Sequence, residues 1–242
     1  MKISDSLEML EVSSPETGRP IPVFPSLFHD GREVVLVDTG FPGQFPMLKS
    51  EIEKAGHSID KLTRVIITHQ DIDHIGNLPL VLGASTGKIE VMCGKDDKPY
   101  IQGEKKLIKG DPGTRAKMLE SMPEERCAAF LRLMENPPKA NVDFVLKGGE
   151  ELPICGGIKV IATPGHTPGH ICLYHKPSRT LIAGDALRLE GGHLVGPTPH
   201  HAWDLEKAID SVRKLAKFEV KSVICYHGGL FRGDVREALS SI

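Results

Sequence analysis

The sequence contains no Cys-x-x-Cys pair. Its five cysteines, Cys93, Cys127, Cys155, Cys172 and Cys225, are odd in number, so neither a zinc knuckle nor a disulfide framework is indicated. Cys172 and Cys225 sit inside apolar, strand-like runs and read as small core residues. Lysine and arginine never run beyond two adjacent positions, and the net charge is -2. That removes the electrostatic basis for nucleic acid or an anionic membrane as partner and leaves a small molecule as the expected one. No apolar run approaches about 18 residues. The opening Met1-Lys2-Ile3-Ser4-Asp5 is not a basic segment leading into an apolar stretch and a small-residue cleavage site. The expectation is a soluble, cytoplasmic protein. With 242 residues, 40% hydrophobic and 26% charged, the chain has enough apolar material for a sizeable core in one large domain or two tightly joined halves.

One stretch organises the rest. The apolar run Val65-Ile66-Ile67 is followed by Thr68-His69-Gln70-Asp71-Ile72-Asp73-His74, in which four residues are metal-binding types. Val65 to Thr68 reads as a buried strand that ends at His69, and alternation places Asp71 and Asp73 on the same side as His69, with His74 opening a tight turn towards Gly76. Crowding partly charged side chains into one turn costs solvation and mutual repulsion unless a cation neutralises the carboxylates, so the cluster reads as a metal site.

Elsewhere the chain repeats one grammar. Glu33 to Val37 ends at Asp38-Thr39-Gly40, and Ile158 to Ala162 leads into Thr163-Pro164-Gly165-His166-Thr167-Pro168-Gly169-His170. Arg179 to Ala183 leads into Gly184-Asp185, and Lys221 to Tyr226 into His227-Gly228-Gly229. Counting the run before His69, five apolar strands each deliver a histidine or aspartate at their C-terminal end, the place where sheet proteins collect site residues. Leu7 to Val12 and Ile21 to Phe28 read as further strands, the second interrupted by Pro20, Pro22 and Pro25 and therefore expected at a sheet edge. Helical spacing appears over Gln44 to Ala55 and Asp204 to Phe218 (with Asp204 as cap), Ile75 to Leu82 reads as a short helix or turn, and Gly233 to Leu239 as a last short helix.

Residues 94–148 change to mixed charge, with helical stretches near Thr114 to Ser121 and Glu124 to Met134. This segment reads as a helical insertion in a single domain spanning 1–242. It reads either as a lid or wall over a pocket, lined by Tyr100, Ile101 and Met118, or as a structural spacer. The Gly/Pro-rich loop carrying Arg188, His193, His200, His201 and Trp203 reads either as pocket lining or as a solvated connector.

The four motifs His69-x-Asp71-x-Asp73-His74, Thr163 to His170, Gly184-Asp185 and His227-Gly228-Gly229 resemble the metallo-β-lactamase superfamily in order and spacing, over nearly the whole chain. The resemblance implies an α/β fold, a four-layer αββα sandwich of two mixed β-sheets flanked by helices, with a dinuclear site where the sheets meet. It implies that His69, Asp71 and His166 hold one metal, that Asp73, His74 and His227 hold the other, and that Asp185 bridges them. Asp38 resembles the outer carboxylate that orients a ligand, although a turn or capping role in Asp-Thr-Gly fits it as well. His170 resembles a structural histidine of its loop.

The superfamily's usual first motif has histidine where this chain has Asp71. A carboxylate there hardens the site and moves preference from zinc, the family default, towards iron or manganese; flavodiiron proteins place a glutamate at that point and bind iron. The other reading is that Asp71 is too short to reach. The implied activity is that of a metallo-hydrolase in which a metal-bridging hydroxide attacks a small ester, lactone or thioester, with Asp73 as the catalytic carboxylate that orients the hydroxide or relays a proton. Two other classes fit the same motifs: an iron-dependent redox enzyme resembling persulfide dioxygenases, and a non-catalytic metal-binding module.

Overall fold

The computed structural model describes residues 1–13, 22–110, 113, 119 and 124–242. The helix expected near Thr114 to Ser121, and Met118 with it, lie outside the described residues. Seven strands form a first sheet in sequence order: β1 (Lys2–Ser4), β2 (Leu7–Met9), β3 (Ser26–His29), β4 (Val34–Val37), β5 (Arg64–Ile67), β6 (Glu90–Gly94) and β7 (Phe144–Leu146). Pairing is antiparallel from β1 to β4 and parallel from β4 to β7. The second sheet contains β8 (Glu151–Leu152), β9 (Ile158–Ala162), β10 (Ile171–His175) and β11 (Thr180–Ile182). The chain then leaves it for a separate hairpin, β12 (Arg188–Glu190) with β13 (His193–Val195), and returns as β14 (Ser222–Cys225) and β15 (Gly229–Arg232). The order is β15-β14-β11-β10-β9-β8, parallel only between β11 and β14.

Strand periodicity sorts the side chains into layers. Val35, Val37, Ile66 and Met92 of the first sheet pack against Ile158, Val160, Ile171, Leu173, Ile182 and Ile224 of the second. The intervening residues Leu36, Val65, Ile67 and Val91 face outward onto α1 (Phe45–Lys54) and α3 (Leu78–Ala84), which follows the short α2 (Ile72–Ile75). On the far side Ile161, Leu181, Val223 and Cys225 meet Val212, Leu215, Val235 and Leu239. The result is the four-layer αββα sandwich implied by the motifs. Each fully buried leucine, isoleucine or valine contributes roughly 1.5–3 kcal/mol of transfer free energy, so the three apolar layers supply the main driving force for folding.

Three expectations are corrected. The strand expected from Ile21 to Phe28 at an edge is β3, which lies between β2 and β4 inside the sheet. Pro22 and Pro25 precede its ladder, so no ladder N–H is lost to either of them. Tyr100 and Ile101 do not form a lid: Ile101 is fully buried in the outer layer of the first sheet, and Tyr100 packs there beside it. They belong to α4 (Lys98–Ile101), which with a 3-10 turn at Ile108–Gly110 and α5 (Glu124–Glu135) connects the neighbouring parallel strands β6 and β7. The third lies after β5, where the chain winds into the helical turn α2 and does not stay extended.

The best amphipathic pattern in the chain forms α6 (Leu205–Leu215), where the Asp204 carboxylate accepts from Lys207 N–H at 3.1 Å, a cap worth about 1 kcal/mol. The final helix α7 (Val235–Ser240) is capped the same way by Asp234. Among the described residues, no helix is long and apolar enough to cross a membrane.

Candidate metal centre

The five strand ends singled out by sequence meet at one rim. The sheets are joined there by the segment before β3, where Phe24 N–H donates to the Tyr226 carbonyl at 3.0 Å and Val23 bridges His227. A second tie runs from Ile171 N–H to the Thr68 carbonyl, also at 3.0 Å. Each sheet therefore carries its half of the site into register with the other.

Beyond β5 the chain does not stay extended. Asp71 has φ -64° and ψ 148° and stands at the N-cap of α2, so Ile72, Asp73 and His74 wind through a helical turn. Alternation thus fails as the device that aims these side chains. The turn separates Asp71 from Asp73 and sends them to different groups. In one group, ligand-type atoms of His69, Asp71, His166 and Asp185 lie within 4.8 Å of one another; in the other, those of Asp73, His74 and His227 do.

The distances suit cations. In the first group Asp71 Oδ2 lies 3.2 Å from His69 Nε2 and 2.8 Å from His166 Nε2, while Asp185 Oδ2 lies 3.5 Å from His166 Nε2 and 4.0 Å from His69 Nε2. Four ligands about 2.0–2.1 Å from a tetrahedral ion stand about 3.3–3.4 Å apart. In the second group Asp73 Oδ2 is 3.1 Å from His227 Nε2 and 3.8 Å from His74 Nε2. Asp185 serves both: Oδ1 is 3.3 Å from His74 Nε2, and Oδ2 is 3.5 Å from His227 Nε2. His69 Nε2, His74 Nε2 and Asp185 Oδ1 are buried atoms with no hydrogen-bond partner among the described residues. Buried polar atoms left unsatisfied cost about 1–3 kcal/mol each; all three belong to residues of the two ligand groups, where a cation would complete their coordination. The residues fit divalent metal binding.

Electrostatics say the same. Burial pushes the Asp71, Asp73 and Asp185 carboxyls up, but the neighbouring imidazoles, and Lys109 for Asp71, outweigh it; Asp71 and Asp185 are held well below the ordinary carboxylate range, and Asp73 is lowered to about 2. Burial pushes His227 down, and Asp185 and Asp73 lift it to about 10. Negative charge in the cluster exceeds what the local imidazoles absorb without binding protons, the condition in which a cation binds in their place.

Outer partners hold these groups. Asp38 adopts the left-handed conformation, φ 61°, at a cost of about 1 kcal/mol or more. Its carboxylate accepts from Thr68 N–H and from the Thr68 hydroxyl, each at 2.8 Å, and lies 2.9 Å from His74 Nδ1. That contact leaves His74 Nε2 to face Asp185, the orienting role that the resemblance implies for Asp38. His170 Nε2 accepts from Asp185 N–H at 3.1 Å, and its Nδ1 is 2.8 Å from the Thr163 hydroxyl. His170 therefore supports the backbone of Asp185 and stays out of both ligand groups. Gly184 is required between them: its φ is 52°, and a Cβ would stand 2.7 Å from His170 Nε2.

Three supporting residues escaped sequence reasoning. The Tyr226 hydroxyl donates to the Asp73 carbonyl at 2.6 Å and accepts from Gly40 N–H at 3.0 Å, with its ring 3.8 Å from that of His74. Lys109 forms an ion pair with Asp71. Asp97, fully buried, joins two motifs: it accepts from Gln70 N–H at 2.9 Å, from the Thr167 hydroxyl at 2.7 Å and from Gly169 N–H at 2.8 Å. One of two adjacent acids in the charged run Lys95-Asp96-Asp97-Lys98 offers no sequence signal for that role. Asp97→Ala is expected to weaken divalent-cation binding roughly 10- to 100-fold, read by competition with a chromophoric chelator. Unaltered affinity would show that the two loops hold their positions without it.

The loop after Asp185 divides. Arg188 opens the β12–β13 hairpin and pairs with Glu190 at 3.0 Å, while His193 and His200 are exposed. His201 is exposed as well, its Nδ1 2.8 Å from the Thr198 hydroxyl. Trp203, half exposed, lines a cavity of about 460 Å³ together with Lys95, Lys147, Lys207 and His170.

Comparison with known proteins agrees with this geometry. The family model described as the metallo-beta-lactamase superfamily matches residues 18–227. The protein named probable metallo-hydrolase YflN of Bacillus subtilis (strain 168) is 29% identical over 86% of this chain and 83% of its own. A hydroxyacylglutathione hydrolase of Fuscovulum blasticum is 30% identical over 50% of this chain and 48% of its own, so the match spans about half of that enzyme. In fold, a metallo-beta-lactamase family protein from Thermus thermophilus superposes with a TM-score of 0.74 at 24% identity, over 99% of this chain and 79% of the other.

Proposed function

This chain belongs to the metallo-β-lactamase superfamily, and from that premise we propose that it is a metallo-hydrolase that holds two divalent cations and cleaves a small ester, lactone or thioester. One observation carries the reading: Asp185 stands against both ligand groups, its Oδ2 3.5 Å from His166 Nε2 and from His227 Nε2 and its Oδ1 3.3 Å from His74 Nε2. His69, Asp71 and His166 would hold one ion, Asp73, His74 and His227 the other, and Asp185 both. When bound, such ions activate a water near neutral pH and polarise the acyl carbonyl.

The chain's own contribution is positional. Asp38 and Tyr226 set the His74 ring, and His170 sets the Asp185 backbone. Asp73, whose Oδ2 is the carboxylate oxygen 3.1 Å from His227, is the group placed to orient the attacking water or to pass its proton to the leaving atom. The local likeness to a hydroxyacylglutathione hydrolase supports a thioester as the first bond to try. Zinc is the family default. Asp71 within ligand distance of two histidines favours iron or manganese equally and keeps an iron-dependent redox activity as the second reading. In this proposal residues 1–242 act as one catalytic domain, with 94–148 as a segment beside the site, and the reduced buried thiols Cys93, Cys155, Cys172 and Cys225 accord with a cytoplasmic setting.

The test is elemental analysis of the purified protein together with a panel of esters, lactones and thioesters. About two equivalents of zinc or manganese with turnover above solvent background supports the hydrolase. Iron with dioxygen-dependent turnover favours the redox enzyme, and a protein that retains no divalent cation overturns both.

A further inference from the structure

Position 71 carries a carboxylate where an imidazole is usual, and the structure supplies a cation for it. Lys109 Nζ contacts Asp71 Oδ2, the same oxygen that lies 2.8 Å from His166 Nε2 and 3.2 Å from His69 Nε2. The Asp71 side chain is 2% exposed and that of Lys109 26%, so the pair is largely withdrawn from water. Its placement is built from the backbone outward. Ile108 N–H donates to Gln70 Oε1 at 2.8 Å, and Asp97 accepts from Gln70 N–H at 2.9 Å. The residue before Lys109 is thereby keyed to the residue before Asp71, and the two side chains meet as a consequence.

Charge decides what the contact does. Asp71, Asp73 and Asp185 give the donor set a formal charge of -3; Lys109 returns it to the -2 that histidine at position 71 would leave. A carboxylate oxygen has two lone pairs, so Asp71 Oδ2 can accept from the ammonium and still serve as a ligand. Resting on the metal-centre reading above, we propose that Asp71 and Lys109 act as one unit, a carboxylate ligand neutralised by a resident ammonium. Lys109 is then a positioning and charge-setting residue for the ion held by His69, Asp71 and His166. The ammonium holds the donors together when the ion is absent and opposes the ion when it binds.

The consequence runs against ordinary loss-of-contact reasoning. Lys109→Met keeps the length of the arm and removes its charge. Zinc affinity, measured by chelator competition, is expected to tighten by about tenfold or more, because a unit charge some 5 Å from a dication is repelled by more than 1 kcal/mol even at the dielectric constant of water. The metal-free protein should melt earlier while the loaded protein does not, so the gap between them widens. Lys109→Arg should stay within about threefold of the wild-type affinity, and Asp71→His/Lys109→Met should bring both affinity and metal-free stability back towards wild type. Affinity that is unchanged or weakened in Lys109→Met, or equal loss of stability in both forms, overturns the proposal and leaves Lys109 a packing residue. Should Lys109→Met fail to fold, the double variant decides: folded and zinc-binding supports the unit, unfolded overturns it. A wild-type chain that binds no divalent cation overturns the metal-centre reading itself, a result distinct from cations that bind regardless of Lys109.

Discussion

Asp185→Ala is expected to lower kcat/KM by roughly 10³-fold or more for whichever acyl substrate is turned over, while the fold survives. Losing a single group that stabilises developing charge commonly costs 10²–10³-fold, and Asp185 contributes to both ligand groups at once. Its Oδ1 faces His74 Nε2 at 3.3 Å, and its Oδ2 faces His166 and His227, each at 3.5 Å. Removing it opens each cation's coordination and takes away what fixes their separation, so bound metal should fall from about two equivalents to one or fewer. The backbone has independent support: Asp185 N–H still donates to His170, and β11 remains paired between β10 and β14. Circular dichroism and melting temperature should therefore change little. Asp185→Asn tests charge against shape, and it should fail nearly as badly if the bridging carboxylate is what matters. Wild-type turnover in either variant would remove Asp185 from the reaction.

Much of this was legible in the sequence because the fold imposes a simple rule. Buried strands read as unbroken apolar runs, and the residues following them occupy the rim, so Asp38, His69, His166, Asp185 and His227 could be placed together without coordinates. The supporting groups were not legible for an equally physical reason. Asp97 stands at the N-cap of the one-turn helix α4 and Lys109 lies in the 3-10 turn Ile108–Gly110, elements too short for periodicity to assign a direction, and their partners lie 27 and 38 residues away in the chain. The short strands β1, β8, β12 and β13 carry too few residues for alternation to show. Alternation also misled at Asp71 to His74, where the helical turn Ile72–Ile75 starts soon after β5 ends and the period changes from 2 to 3.6. The one available clue to Lys109 was Asp71 itself: a third buried carboxylate calls for a further positive charge nearby.

Stripping the protein of metal with a chelator should bring turnover to background and lower its melting temperature by roughly 8–16 °C. A ligand present at 1,000 times its dissociation constant stabilises the native state by about 4 kcal/mol, and a chain of this length shifts by about 2–4 °C per kcal/mol. The direction follows from the composition of the site. Without a cation, Asp73 and Asp185 share the surroundings of His74 and His227, and the inward nitrogens of His69 and His74 have no hydrogen-bond partner among the described residues. Restoring zinc, manganese or ferrous ion should restore both stability and activity. Magnesium should not, because it prefers an all-oxygen shell and retains its waters, whereas four of the seven donors here are imidazole nitrogens. Full activity and an unmoved melting curve after exhaustive chelation would mean that these histidines and aspartates are held together by protons and hydrogen bonds alone. In that case the buried, partnerless nitrogens would have to tolerate their isolation at a cost of about 1–3 kcal/mol apiece.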